Sequence, residues 1–470
     1  MEDFSDYENE NFEEDYYGSY EQGYPHSDGW SDEEEGAGVS LSELYSLCLL
    51  PSVSEGIVHV AYLLLWCFIF RITTQTVKLP VVASHAISAA SGLLVLNFFF
   101  GSTAHYVLVL GIIFYLILFF TSFSLNKWIG VVTSVSCIVI SILCEFLLVK
   151  KTEWHKIRGA HMIVVMKVIS LAFDMEMGTQ RTLPSPVEFA GYIFSVGTCI
   201  FGPWVPFRDY LAVYKKPVFN LQWLWRILLS LAMAFLFLTV SMCWISWLIP
   251  DDAWRWWTAY RDAVSFRSSH YFVSFVSEAS ALMSGYGLQE DLTWSVPVSR
   301  PHHIEIPRSL VQVVVYWSMP MHTFLKQYVF RTTRPFGSFV AIICTYAVSS
   351  LLHGINFQLA AVLLSLGVYT YVEFMLRQKL ASVFNACILS KPCRANCPHT
   401  HKETKLIVLL ANIGFGILAF FHLIYLGVMF DSTEIQEEGY SYKHTLAKWA
   451  HLSYASHWVA GFTFLFHLLI

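Results

Sequence analysis

Long apolar stretches recur along this chain, separated by short polar connections. A helix needs about 20 predominantly apolar residues to cross a hydrocarbon core of about 30 Å. Stretches near that length lie at 56–72, 80–100, 104–124, 128–149, 187–206, 222–249, 309–330, 337–353, 355–376, 406–430 and 453–470. The pattern predicts an all-α polytopic membrane protein with roughly 10–12 transmembrane or re-entrant helices. Two more polar segments, His161–Phe173 and His270–Met283, read as partly buried or re-entrant helices. Such segments survive at membrane depth only where protein or a water-lined cavity covers them. The connections at 150–160, 174–186, 250–268, 286–308 and 384–405 read as loops, too short for a soluble domain. No repeat is visible, and the inverted halves of many transporters are not evident.

Composition narrows the class. Of 470 residues, 55% are hydrophobic and only 14% charged, which excludes an ordinary soluble protein. The net charge of −6 conceals two regions: residues 1–36 hold 14 acidic side chains and no Lys or Arg. The remainder has 21 acidic against 29 basic residues, a body of about +8. Residues 1–40 are therefore expected to form an acidic, disordered tail, and 41–470 a multi-pass membrane domain. A basic body suits an anionic ligand such as a phosphorylated nucleotide carrier, and equally suits anionic lipid headgroups. The acidic start and a first apolar stretch near Ile57 do not resemble a cleavable signal, so the first span is expected to direct insertion. Arg71 and Lys78 after that span favour a lumenal N-terminus, whereas Lys150, Lys151, Lys156 and Arg158 then fall on the opposite side from the rule, and charge alone fixes no orientation.

There is no phosphate-binding glycine loop, dinucleotide fingerprint, serine-hydrolase elbow or zinc-protease helix. The chemistry that remains is a histidine deep in an apolar stretch, His353. On a continuous helix, Tyr346, Ser349, Ser350, His353, Asn356 and Phe357 share one side as a polar stripe. Ionisable groups in hydrocarbon are costly and commonly face a cavity, although a core histidine bonded to a nearby carbonyl is the alternative. A neutral imidazole takes a proton from a hydroxyl, and a hydroxyl so activated attacks a thioester. About one helix earlier, the run from Val314 to Phe330 reads as a helix interrupted at Pro320, which frees backbone carbonyls. That break is either an active-site wall or a packing kink.

Several segments carry a resemblance. They are Trp154-His-Lys-Ile-Arg-Gly-Ala-His-Met-Ile-Val-Val-Met-Lys, Leu183-Pro-Ser-Pro-Val-Glu-Phe-Ala-Gly-Tyr192 and Phe201-Gly-Pro-Trp204. Val298-Ser-Arg-Pro301, Thr345-Tyr-Ala with Leu351-Leu-His353-Gly, and Ala455-Ser-His-Trp458 continue the series. In order and spacing they resemble the Wnt-acylating branch of the membrane-bound O-acyltransferase family, from about residue 40 to the C-terminus. The resemblance implies an endoplasmic reticulum enzyme with helices around a central catalytic chamber. It implies transfer of palmitoleate from palmitoleoyl-CoA to a serine of Wnt proteins, with donor arriving from the cytosol and acceptor from the lumen. It places His353 as the general base. No further cofactor is implied.

One position departs from the family. The pattern Trp-Asn-x-Pro reads here Trp317-Ser318-Met-Pro320. Serine keeps a hydroxyl but loses the amide's reach and its two N–H donors. Ser318 is the second candidate catalytic residue, acting on the thioester carbonyl directly or through a water, with His322 one turn on as an alternative. Trp317, Tyr328, Tyr346, Ser350, Asn356 and Arg300 are candidate substrate-binding residues. Arg261, Arg267, Arg300, Lys156 and Arg158 are candidate partners for coenzyme A phosphates, or interfacial cations. His457 reads as a packing histidine, and Glu373 as a buried carboxylate in search of a cation. Cys387, Cys393, Cys397 and His399, with His401 beside them, are open to three readings: a zinc site, a disulfide or free thiols. Rival functions are acylation of a lysophospholipid or other lipid, and a catalytically weak binding protein on the same fold.

Overall fold

The computed structural model describes residues 40–124, 127–214, 219–394, 396–430 and 442–470. Apart from Ser40, the expected acidic tail lies outside the described residues. One compact unit runs from Ser42 to Ile470. In chain order its helices are α1 (Leu41–Thr76), α2 (Val81–Phe100), α3 (Ala104–Ser124), α4 (Ile129–Leu148) and α5 (Lys151–Glu176). They continue as α6 (Pro186–Ile193), α7 (Phe207–Ala212), α8 (Leu221–Leu248), α9 (Arg255–Ser284) and α10 (His302–Glu305). The last seven are α11 (Leu310–Trp317), α12 (Met319–Phe324, prolonged by a π-helical turn to Phe330), α13 (Ser338–Leu352), α14 (Phe357–Val383), α15 (Leu406–Gly427), α16 (Tyr442–His451) and α17 (Ala455–Leu469). Among the described residues six helical stretches are long and apolar enough to cross a membrane, α2 and α3 counting as one stretch joined by a 3-10 turn. Helices α13 and α17 are shorter and apolar. Among the described residues there is no β-strand, only two isolated bridges.

Helices α5 and α9 start inside segments expected as the loops 150–160 and 250–268. Charges at Lys156, Arg158, Arg261 and Arg267 disguise these helical stretches; in the fold Arg261 is matched by Asp251 and Asp262, and Arg267 by Glu305. From Ile163 to Asp174 every residue of α5 is buried. Lys167, fully enclosed there, donates to Tyr192 O at 2.9 Å, Ile193 O at 3.2 Å and Thr198 Oγ1 at 2.9 Å. Three N–H bonds thus meet three acceptors, two of them carbonyls left over at the end of α6.

The expected span 187–206 is a second correction. Only α6 is helical there, and the chain then runs irregularly through a wholly buried stretch, Phe194 to Ile200. Irregular backbone at depth is tolerated because protein covers it. The start of α6 is fixed locally. Ser185 Oγ accepts from Glu188 N, Glu188 Oε2 accepts from Ser185 N at 2.9 Å, and Pro186 occupies the first turn. Gly191 lets α2 approach: a Cβ there would stand 2.8 Å from His85 O and 2.3 Å from the Tyr210 hydroxyl. A disulfide between Cys48 and Cys243 joins the first turns of α1 to the end of α8.

Candidate active site

The helix break falls at Ser318, two residues before the proline. Residue 318 is extended (φ −145°, ψ 95°), and Pro320 lies in the first turn of α12. Pro320 has no N–H to give to Tyr316 O and its ring would clash with that carbonyl in a continuous helix, whereas it suits a helix start, so the chain breaks upstream and resumes. Three carbonyls at the break have partners. Tyr316 O accepts from Arg300 N at 3.1 Å and Ser299 Oγ at 3.2 Å. Trp317 O accepts from His270 Nε2 at 3.0 Å, and Ser318 O from His322 N at 2.8 Å. On the donor side, Met319 N bonds Val298 O at 2.8 Å. The segment Val298–Arg300 therefore lies along the break as an extended splint. Arg300 of this segment lies 3.6 Å from Glu278 of α9, which also holds α10 just beyond it: Arg267 grips Glu305 through two bonds of 2.8 and 2.9 Å, and the Tyr271 hydroxyl adds a third at 2.7 Å.

His353 sits where α13 ends. The continuous polar stripe expected through Asn356 and Phe357 does not form, because the helix stops at Leu352 with His353 as its cap. Gly354 has φ +95°, a conformation that glycine adopts without penalty and that terminates helices. Asn356 then caps the next helix, its Oδ1 accepting from Gln358 N at 2.9 Å. The turn is clamped from α4: Glu145 Oε2 accepts from Ile355 N at 3.0 Å, and Glu145 Oε1 would touch a Cβ at residue 354 at 3.0 Å. A crevice at this turn is lined by Glu145, Arg158, His161, Trp154, Leu351 and Gly354. Three of these belong to the segment that begins at Trp154. His353 itself is partly exposed.

His270, on α9, touches the break directly. His270 and Arg158 both act electrostatically on His353. His270 lies flat on Trp317, ring centroids 4.5 Å apart and planes 12° apart, while it bonds the Trp317 carbonyl. Donation from Nε2 leaves Nδ1 as an acceptor. Every residue from Val314 to His322, and from Ile342 to Val348, is partly exposed. The structure thus gives the broken helix one imidazole partner, His270, and ends α13 at another imidazole, His353.

The other sequence candidates separate. Trp317 lies at the break. Tyr328 is buried, its hydroxyl donating to Asp174 Oδ1 at 3.0 Å. Tyr346 packs its ring against Gly367, where a Cβ would come within 2.8 Å. Ser350 is buried near the end of α13. Arg300 lies 3.6 Å from Glu278, and Arg261 pairs with Asp251 at 2.6 Å and Asp262 at 3.1 Å. His457 packs against Tyr425, whose hydroxyl lies 3.0 Å from its Nδ1. Glu373 finds its cation in Arg377, 3.3 Å away, and also accepts from Leu310 N at 2.8 Å, at the start of α11. Sequence reasoning missed His270 and Glu145. A histidine seven residues beyond Ala263 in a polar helix, and one carboxylate at the end of an apolar span, were the available signals. The four ligand atoms of Cys387, Cys393, Cys397 and His399 all lie within 4.8 Å of one another, in the loop after α14. The Cys397 thiol is pulled down to about 6, chiefly by its hydrogen bond with His399 and then by Cys387.

Comparison with known proteins supplies the class. The profile of the membrane-bound O-acyltransferase family matches residues 93–394, which include the break, His353 and the cysteine loop as far as Arg394. The chain belongs to that family, and is an acyltransferase. It is 42% identical over 455 residues to the protein-serine O-palmitoleoyltransferase porcupine of Mus musculus, covering 92% of this chain and 98% of that one. The protein of the same description from Homo sapiens is 41% identical over the same shares, and that from Anopheles gambiae 38% identical over 70% of this chain and 72% of that one.

Proposed function

We propose that this protein transfers a palmitoleoyl group from palmitoleoyl-CoA to a serine hydroxyl of Wnt proteins, in the endoplasmic reticulum membrane. The observation that carries the reading is the almost end-to-end match to protein-serine O-palmitoleoyltransferases of a chain in which α13 ends at the partly exposed His353 and a second helix breaks at Ser318. His353 removes the proton from the acceptor Oγ as that oxygen attacks the thioester carbon. A tetrahedral oxyanion forms, with the Ser318 hydroxyl as a donor within the break, directly or through a water. The oxyanion collapses, the C–S bond breaks, and coenzyme A leaves with the proton that the imidazole held. His270 orients Trp317 and so the wall against which the acyl group reacts. The end of α13 favours the imidazolium formed in transit, because its terminal carbonyls carry partial negative charge.

The test is an acceptor competition. Purified protein is given palmitoleoyl-CoA with a Wnt-derived serine peptide, the same peptide with alanine for serine, or a lysophospholipid. Acylation of the serine peptide alone is the expected result. Acylation of the lysophospholipid alone, or tight acyl-CoA binding without any transfer, would replace this reading with one of its two rivals.

A further inference from the structure

The loop between α14 and α15 has no part in the reaction described above, yet it holds the densest set of metal-ligating atoms among the described residues. We infer that Cys387, Cys393, Cys397 and His399 bind a structural zinc ion. The inference goes beyond the proposed reaction and does not rest on it.

The distances carry the argument. Cys387 Sγ lies 3.4 Å from Cys397 Sγ and 3.8 Å from His399 Nδ1, and Cys393 Sγ lies 3.6 Å from the same nitrogen. Tetrahedral zinc, with Zn–S of about 2.3 Å and Zn–N of about 2.1 Å, requires edges of about 3.8 Å between sulfurs and about 3.6 Å between sulfur and nitrogen. Thiolates with one imidazole in a closed four-ligand set are the chemistry of a structural zinc site rather than a hard-cation site. A disulfide fits less well. It would join two of three thiols and leave the third with the imidazole, and Cys387 and Cys397 are unbonded where Cys48 and Cys243 are bonded. Three thiolates and Zn2+ sum to one negative charge, and Lys402 Nζ stands 3.3 Å from Cys397 Sγ to offset it.

The surroundings hold the ligands in place and give the site a purpose. The two ends of the loop are laced by backbone bonds, Cys387 N to His401 O at 2.9 Å and His401 N to Asn385 O at 3.0 Å. Four successive carbonyls are then gripped from outside. Cys387 O accepts from Arg308 Nη2 at 3.0 Å and Asn412 Nδ2 at 3.1 Å, and Ile388 O from Arg377 Nε at 2.7 Å. Leu389 O accepts from Arg377 Nη2 at 3.1 Å and Arg308 Nε at 3.2 Å, and Ser390 O from Ser309 Oγ at 2.9 Å. Arg308 and Ser309 immediately precede α11, the first half of the broken helix. The zinc site therefore locks the platform on which that helix starts.

The experiment uses the full chain purified in detergent without chelator. Elemental analysis is expected to find about one zinc per chain. Replacement by cobalt is expected to give the visible absorption of a tetrahedral thiolate complex. Cys393→Ser and His399→Ala should lose the metal, whereas Cys344→Ser, outside the loop, should keep it. A strong zinc chelator should lower the Tm, and added zinc should restore it. Zinc content no greater in the parent protein than in the ligand variants would overturn the inference, as would a Cys387–Cys397 disulfide in non-reducing peptide mapping. Should the variants fail to fold, zinc content and the cobalt spectrum of the parent protein decide the matter alone.

Discussion

A Cβ at position 354 would meet Glu145 Oε1 at 3.0 Å, on a backbone whose φ of +95° L side chains rarely adopt. Gly354→Ala is therefore expected to displace the turn that aims His353, at a cost of about 1–3 kcal/mol in stability and a larger loss in transfer rate. Thermal unfolding and initial rates on one preparation check both, and a fully active Gly354→Ala enzyme would show that the turn does not set the histidine. Ser318 invites the opposite experiment. Ser318→Asn restores the family's amide and is expected to raise kcat, while Ser318→Ala lowers it. Equal rates in all three would remove Ser318 from the reaction. The histidine itself was legible in the sequence, because an ionisable residue in an apolar run is conspicuous. Glu145 was not: its role depends on α4 and α13 meeting across more than 200 residues of chain.

Among elements, the break at Pro320 was legible through local chemistry, whereas the stripe read from Tyr346 to Phe357 ran past the end of α13. The beginnings of α5 and α9 looked like loops, because their charges are matched by partners distant in sequence, as Arg267 is by Glu305. The break itself depends on α9, since His270 both stacks on Trp317 and bonds its carbonyl. His270→Ala should lower kcat by about 10–100-fold with a smaller change in KM, as misplacement of reacting groups does. A change confined to KM would assign His270 to substrate binding alone. At the other end of α11, Glu373 and Arg377 form a buried pair that also bonds Leu310 N and Arg308 O. Arg377→Ala leaves a buried carboxylate with no cation beside it, so a loss of about 3–5 kcal/mol is expected, seen as a fall in Tm.

For the whole molecule, the all-α membrane class followed from the length and number of apolar runs, and the family from motifs scattered along the chain. What the runs did not disclose was how irregular the interior is. The buried stretch after α6 and the splint at Val298–Arg300 are stabilised by the helices around them, and no local periodicity betrays such segments. A donor selected by shape is expected if the acyl chain is held in a bent tunnel: a cis double bond bends the chain, and a bent tunnel rejects a straight one. Palmitoleoyl-CoA should therefore react faster than palmitoyl-CoA, with matching initial rates as the contrary result.

The central claim is that His353 is the base that activates the acceptor serine. The direct measurement is single-turnover transfer from palmitoleoyl-CoA to the serine peptide by the parent protein and by His353→Ala, at matched acyl-CoA occupancy and matched Tm. A loss of at least about 100-fold in the transfer step, with donor binding unchanged, is the expected result. Transfer at the parent rate by a folded, donor-loaded His353→Ala protein would contradict it.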